Sequence, residues 1–244
     1  MVNMVGNSHI VSFSGGKDST ALLFMMLDCK MPIDRIIFVD TTKEFPQMYE
    51  HIDLVEKKCG LKIERTKINF DYWFGDHIKT KGKMKGSTGY GWPDFRNRWC
   101  TALKIEAYCR VAYGIGRSSI GRSRTNEVEY LGITFDEVSR IRNKKDNGRN
   151  IKYPLVRWKI IGKQALAYCK KLGFTWGNLY DKFARVSCWC CPLQRMAELK
   201  CLYNSFPDLW KQMQNMDKKS FRKFTARYTV ADLTKRFNMD NCNE

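Results

Sequence analysis

The chain has 244 residues, of which 43% are hydrophobic and 13% aromatic, and a formal net charge of +18. That is enough apolar material for a substantial core in one medium domain, or in one domain with a smaller appendage. The longest clean apolar run, Ala21 to Leu27, falls far short of the roughly 20 residues a membrane span needs, and Met1-Val2-Asn3-Met4 has neither the basic start nor the apolar core of a signal peptide, so a cytoplasmic protein without a membrane partner is expected.

His9 to Phe13 is short, apolar and β-prone, and Thr20 to Leu27 is nearly all apolar, as in a buried helix. Between them lies Ser14-Gly15-Gly16-Lys17-Asp18-Ser19. A glycine loop between a strand and a helix is a natural anion site, because the glycines let the backbone approach and the free N–H groups at the helix start point outward. Lys17 adds a full positive charge, Ser19 a hydroxyl donor, and Asp18 a helix cap or a metal contact. The spacing is not that of the common P-loop, so this is another kind of phosphate loop.

Arg35 to Asp40 reads as a second buried strand, Pro46 to Lys58 as an amphipathic helix ending at Gly60, and Leu61 to Thr66 as a third strand. This β-α-β-α-β beginning predicts an α/β fold with a Rossmann-like, doubly wound, mostly parallel sheet, whose ligands sit at the C-terminal strand ends. The glycine loop and Asp40-Thr41-Thr42 both lie at such ends. Residues 67–98 lose periodicity into Gly, Lys and aromatics, as in a lid or insertion. Thr101 to Ala112 is helical, with Cys100 at its edge. Glu129 to Thr134 reads as a strand, Phe135 to Arg142 as a turn, and Ile161 to Leu172 as a helix. After Cys188-Trp189-Cys190-Cys191, Leu193 to Phe237 is mostly helical. The domain expectation is therefore a nucleotide-binding α/β domain over 1–182, and a cysteine turn with a helical C-terminal extension over 183–244.

Three basic runs stand out: Lys79, Lys81, Lys83 and Lys85; Arg140, Arg142, Lys144, Lys145, Arg149 and Lys152; and Lys218, Lys219, Arg222, Lys223 and Arg227 on what reads as a C-terminal helix. With Tyr72, Trp73, Tyr90, Trp92 and Trp99 interleaved, they point to a polyanionic partner, with nucleic acid the leading candidate. Ten cysteines in a reducing compartment are not a disulfide framework. Cys29, Cys59, Cys109 and Cys169 fit buried, inert thiols, whereas the Cys188–Cys191 cluster does not.

The loop Ser14 to Ser19 resembles the PP-loop of the adenine nucleotide alpha-hydrolase superfamily. Asp40-Thr41-Thr42-Lys43-Glu44-Phe45-Pro46, Arg98-Trp99-Cys100-Thr101 with Leu103-Lys104, Gly132 to Arg140, Tyr153-Pro154-Leu155 with Trp158, and Cys188 to Pro192 resemble, in order, segments of the phosphoadenosine phosphosulfate reductase family, over about residues 8 to 195. The resemblance implies an adenine nucleotide, ATP or phosphoadenosine phosphosulfate, with its phosphates on Ser14, Gly15, Gly16, Lys17, Asp18 and Ser19. Its adenine would lie near Phe38 and Val39, its ribose or phosphates beside Asp40 and Thr41, and Lys104 and Arg140 would be further anion contacts. Lys17, Asp18 and Asp40 are the expected catalytic residues, with Mg²⁺ assisting the departing pyrophosphate.

Two departures separate the chain from sulfonucleotide reductases. The tail Asn238-Met239-Asp240-Asn241-Cys242-Asn243-Glu244 lacks their glutamate–cysteine–glycine motif, and Thr42 and Thr134 stand where their segments carry glycine and arginine. A related branch, which includes the ATP-using subunit of DNA phosphorothioation systems and the tRNA thiolation enzymes, cleaves ATP between the α and β phosphates to adenylate a target before sulfur enters. The leading expectation is such an ATP pyrophosphatase serving sulfur transfer to a nucleic acid, tRNA or DNA, with a sulfur donor protein as a further partner. The alternatives are a thioredoxin-dependent sulfonucleotide reductase using Cys242, and a nucleotide-binding regulatory protein without turnover. Cys188 and Cys191 have C-x-x-C spacing, with Cys190 between them, and the resemblance brings in Cys100. Such a set suits a [4Fe–4S] cluster, zinc, or a dithiol carrying sulfur, while a packed turn is the bland reading. Cys190 or Cys201 would be the fourth ligand. Cys109, about 13 Å along a helix from Cys100, would not.

Overall fold

A computed structural model describes residues 8–116, 126–141 and 149–241. Five short strands, β1 (His9–Phe13), β2 (Arg35–Asp40), β3 (Ile63–Lys67), β4 (Val128–Leu131) and β5 (Asn150–Lys152), pair entirely in parallel in the order β3-β2-β1-β4-β5. β1 is central, with Phe13 level with Phe38 of β2 and Ser12 level with Leu131 of β4. Ile10, Val11, Ile36, Ile37 and Phe38 are at most 1% exposed, which is why β1 and β2 read as continuous rather than alternating apolar runs. Strands β2 and β3 are added on one side of β1 and β4 and β5 on the other, so the topological switch point, where doubly wound sheets bind ligands, lies at the end of β1.

The helices are α1 (Lys17–Asp28), α2 (Pro46–Cys59), α3 (Trp99–Tyr113), α4 (Pro154–Arg157), α5 (Gly162–Lys171), α6 (Leu179–Lys182), α7 (Met196–Ser205), α8 (Pro207–Lys219) and α9 (Val230–Asn241). Pro46 and Pro207 open α2 and α8, where a missing N–H costs nothing. Lys57 and Lys58 close α2 and Lys218 and Lys219 close α8, against the negative ends of their dipoles. α1 packs on α5. Among the described residues no helix is long and apolar enough to cross a membrane.

The chain divides into two compact units. The first comprises Met1–Asp40, Pro46–Lys67 and Lys104–Leu179 and holds the whole sheet; the second comprises Thr41–Phe45, Ile68–Leu103 and Tyr180–Glu244. Both junctions flanking Thr41–Phe45 and the one inside α3 interrupt the linear order. In the second unit Phe45 packs against Phe183 and Phe206, and Trp92 against Phe74 and Phe224.

Three local expectations change. β4 ends at Leu131 rather than Thr134, because the chain then turns, with the Ile133 N–H bonded to the Leu131 carbonyl. The three-residue β5 has no apolar run to announce it. The basic C-terminal run is not helical throughout: α8 stops at Lys219, and Arg222, Lys223 and Arg227 lie in the connection to α9. There the Ser220 hydroxyl accepts from the Arg222 N–H and donates to the Arg222 carbonyl, which stops the helix.

Candidate functional site

The loop Ser14–Gly16 joins the end of β1 to the first turn of α1, as its glycines and helix-start residues predict. Gly15 sits at φ +77, a conformation that L side chains rarely adopt, and a Cβ there would lie 2.6 Å from the Met48 sulfur. The Ser19 hydroxyl donates to the Gly16 carbonyl at 3.0 Å, accepts from the Ser14 N–H at 3.2 Å, and lies 3.0 Å from the Ser14 hydroxyl. Ser14 and Ser19 are thus tied together across the loop they bracket.

The loop is held from outside, in part by Trp176 and His51, which sequence reasoning missed. Trp176 Nε1 donates to the Gly15 carbonyl at 2.8 Å. His51 stacks on Trp176 with ring centroids 4.2 Å apart, and its Nε2 lies 3.0 Å from the Thr20 hydroxyl. Burial pulls the His51 pKa down to about 3, so the ring is a neutral strut. Gly132, after β4, approaches so closely that a Cβ would meet the Ser19 backbone nitrogen at 2.8 Å. Cys169 backs the loop through a bond to the Lys17 carbonyl, and burial raises its thiol to about 12. Glycine was the one signal available for Gly132; Trp176 and His51 carried none.

Lys17 Nζ is 2.5 Å from Asp18 Oδ1. Burial raises the Asp18 pKa, the Lys17 ammonium opposes that shift, and Glu137 and Asp136 add to it. Asp136 accepts from the Gly162 N–H at 3.0 Å, and its own pKa is lowered, chiefly by the Thr134 side chain and also by that N–H. A Cβ on Gly162 would lie 2.8 Å from Lys17 Nζ. The start of α5 and the 3₁₀ turn Phe135–Arg140 therefore frame the lysine.

Beside the loop, a pocket of about 270 Å³ is lined by Ser12, Phe13, Ser14, Val39, Lys104 and Arg149, among others. It sits at the ends of β1, β2 and β4. Glu129, 1% exposed, lies in its wall; it accepts from the Tyr113 hydroxyl at 2.7 Å and lies 3.3 Å from Arg149 Nε. Of the residues expected around an adenine nucleotide, Ser14, Val39 and Lys104 line this pocket, and the rest of the loop lies outside its lining. Phe38 is buried in the sheet outside the lining, and Asp40 is buried at the end of β2, where it accepts from the Tyr49 hydroxyl at 2.9 Å. Arg140 pairs with Glu137 at 2.5 Å.

Thr41 belongs to the second unit. Its hydroxyl donates to Glu44 at 2.9 Å and lies 3.2 Å from Cys188 Sγ, which is itself 3.6 Å from Glu44. Thr42 stands at φ +61, the left-handed region that explains why related segments carry glycine there. Trp189 N–H bonds the Lys43 carbonyl, Gln194 caps the Cys188 and Trp189 carbonyls, and Cys191 N–H closes a turn on Cys188. Burial raises the thiols of Cys190 and Cys191; Cys100 lies near enough to raise both further, while Arg185 and Arg98 oppose this at Cys191. Cys100, Cys188, Cys190 and Cys191 thus share one neighbourhood. Among the described residues, however, no group of three or more His, Cys, Asp or Glu side chains is arranged to hold a metal ion. Burial keeps Cys190 and Cys191 as neutral thiols, and no step is built on a cluster or zinc. Cys242 lies outside the described residues, as do Arg142, Lys144 and Lys145.

The interleaved aromatics divide: Tyr72 is exposed, Trp73 and Tyr90 are half-buried, and the other two serve packing. Trp92 and Trp99 are buried, and their indole N–H groups are taken by Asp217 and the Gly91 carbonyl.

Residues 8–194 match the phosphoadenosine phosphosulfate reductase domain. Two uncharacterized proteins of Methanocaldococcus jannaschii are each 28% identical to the chain, over 91% and 82% of its length. The chain spans less than half of each, 43% and 45%. Among solved structures, it is similar to the U34-tRNA thiolase NcsA of Methanococcus maripaludis with its [4Fe–4S] cluster (TM-score 0.45, 13% identity, 98% of this chain and 74% of that one). It is also similar to the NMN synthetase of Francisella tularensis (TM-score 0.43, 13% identity, 98% and 87%).

Proposed function

The chain belongs to the phosphoadenosine phosphosulfate reductase domain family, and on that premise we propose that it binds ATP on Ser14–Ser19 and cleaves it between the α and β phosphates to activate an acceptor for sulfur transfer. The carrying observation is the glycine loop at the switch point of a β3-β2-β1-β4-β5 sheet, with Lys17 framed at its helix end and a pocket beside it. An acceptor oxygen attacks the α-phosphorus, the bond to pyrophosphate breaks, and AMP remains on the acceptor until a sulfur nucleophile displaces it.

Each part of the loop has a role in this step. Backbone N–H groups of the loop and the first turn of α1 take the phosphate oxygens. Lys17 offsets the charge that grows on departing pyrophosphate. Lys104 and Arg149, on the pocket wall, take further negative charge. Mg²⁺ is commonly held by one or two carboxylates together with substrate phosphates; Asp18, beside Lys17, is the carboxylate suited to that, and the ion would neutralise the pyrophosphate. Cys100, Cys188, Cys190 and Cys191 form the proposed sulfur-handling element, a role in which the attacking cysteine must reach its thiolate form. A net charge of +18 supports a nucleic acid as acceptor, with a sulfur donor protein supplying the nucleophile.

The test is product analysis with α-labelled ATP, Mg²⁺ and a nucleic-acid acceptor. AMP and pyrophosphate are expected, and ADP with phosphate would refute the cleavage site. Lys17→Ala should weaken ATP binding by about 10- to 100-fold, the equivalent of about 1.5–3 kcal/mol for a charge-assisted bond. Equal affinity by calorimetry would remove the loop from the site.

A further inference from the structure

A cavity of about 570 Å³ lies wholly within the second unit, apart in sequence from the phosphate loop, with walls from residues 92–96, 192–193 and 222–226. Its floor is fixed. Trp92 is 1% exposed, its indole donates to Asp217 at 2.8 Å, and its backbone N–H reaches the Ser220 hydroxyl at 3.3 Å. Its rim is not filled: Phe95 is 82% exposed and Leu193 46% exposed. An isolated exposed aromatic is unremarkable, but the turn that carries this one is held in place. Asp94 Oδ1 accepts from the N–H groups of Arg96 and Asn97 at 2.7 and 2.6 Å, which fixes the turn that presents Phe95.

The charge around the rim is one-sided. One carboxylate, Asp94, stands in the lining against three cations, Arg96, Arg222 and Lys223. Asp94 is also committed, since its Oδ2 pairs with Arg222 at 2.7 Å. The excess continues outward: Phe221, 53% exposed, carries Lys79 over its ring at 4.2 Å. An exposed aromatic face on a fixed turn, beside an excess of cations, is the pairing that receives an unstacked base and its phosphates. An acidic peptide would satisfy the cations but offers a ring only where it carries an aromatic side chain, whereas every unpaired nucleotide brings a base and a phosphate together, and a stacked duplex offers no free base.

We propose that this groove binds an unpaired stretch of RNA, with one base stacked on Phe95 and the flanking phosphates on Arg96 and Lys223. The assignment deepens the acceptor reading above and rests on it for biological meaning, but not for its test, which needs no ATP.

The test measures fluorescence anisotropy of labelled oligo-uridine 12-mer, and of an RNA duplex of equal length, with the full chain at several salt concentrations. The 12-mer should bind more tightly than the duplex. Phe95→Ala should cost about 10-fold for the 12-mer and leave the salt slope unchanged, while Phe95→Trp restores binding. Arg96→Gln should lower the slope of log affinity against log salt by about 0.7. All three variants should keep wild-type ATP affinity, so a failed nucleotide site and a failed groove give different results. Equal 12-mer affinity for wild type and Phe95→Ala, or duplex preferred over single strand, overturns the proposal. So does a second protein chain competing for Phe95 while RNA binding persists unchanged.

Discussion

Gly132→Ala is the substitution on which the loop geometry stakes most. A single methyl placed there meets the Ser19 backbone nitrogen at 2.8 Å, the Asp18 carbonyl carbon at 2.9 Å and the Ser19 Cα at 2.9 Å. All three are backbone at the start of α1, so no side chain can swing aside. Reaching the 3.4 Å of ordinary contact requires β4's exit or the loop to retreat by about 0.6 Å. Overpacking of this kind costs about 1–3 kcal/mol, and the rigid neighbours put this case at the upper end. For a chain this long, about 3 kcal/mol lowers Tm by roughly 6–12 °C. The functional loss should be larger than stability implies, because misplacing reacting groups by about 1 Å costs up to 100-fold in rate. Gly15→Ala is the informative contrast. Its methyl meets a flexible methionine sulfur at 2.6 Å, but its φ of +77 adds backbone strain of about 1–2 kcal/mol. Trimming Met48 in a Gly15→Ala background should therefore recover only the contact part. Differential scanning calorimetry and ATP titration of both variants decide the matter. A Gly132→Ala protein with wild-type Tm and ATP affinity would refute the close approach of β4's exit to the loop.

Other consequences follow from buried groups. His51 is neutral when folded, with its pKa near 3 against 6.5 for the free side chain; the unfolded chain takes up a proton first as pH falls, so stability drops between about 6.5 and 3. This one group should cost about 2 kcal/mol at pH 5 relative to neutral pH, and His51→Gln should flatten that part of a urea-stability profile; an unchanged slope refutes the neutral strut. Iodoacetamide at pH 8 should label the exposed Cys29 early, and Cys109, Cys169 and Cys190 only after denaturation. With its pKa near 12, Cys169 holds about one thiolate in ten thousand at that pH, so early labelling of Cys169 by mass spectrometry would contradict its placement behind the loop.

The part of this architecture that is local in sequence was readable, and the part made by long-range packing was not. β1 and β2 are apolar on both faces, so their runs are continuous and their bounds unambiguous. The loop is equally plain, because glycine, lysine and serine between a strand and a helix already state its chemistry. What steadies the loop is invisible: Trp176 reaches Gly15 across 161 positions and His51 reaches Thr20 across 31. The two-unit division also resists reading, since Thr41–Phe45 joins the second unit only through partners such as Cys188 and Phe183. Aromatics misled in one respect. Composition marks Trp92 and Trp99 as candidate stacking surfaces, yet both are consumed by the core, while Phe95, which no periodicity singles out, is 82% exposed.

The charge balance at the loop leads to one further expectation. Lys17 is the loop's own cation, and it is shared with Asp18, whose charged form already suffers from burial and from Asp136 and Glu137 nearby. A triphosphate arriving on Ser14–Ser19 draws Lys17 toward itself and adds negative charge beside Asp18. Both changes push the carboxyl's pKa further up. Without Mg²⁺, ATP binding should therefore be accompanied by proton uptake at Asp18 that grows as pH falls. With Mg²⁺ the cation takes the proton's place and uptake should vanish. Calorimetry in two buffers of different ionisation enthalpy measures the proton count directly, and Asp18→Asn should abolish it. If uptake in wild type and in Asp18→Asn is the same, the carboxylate facing the phosphates is not Asp18, and the role of Mg²⁺ ligand passes to another residue.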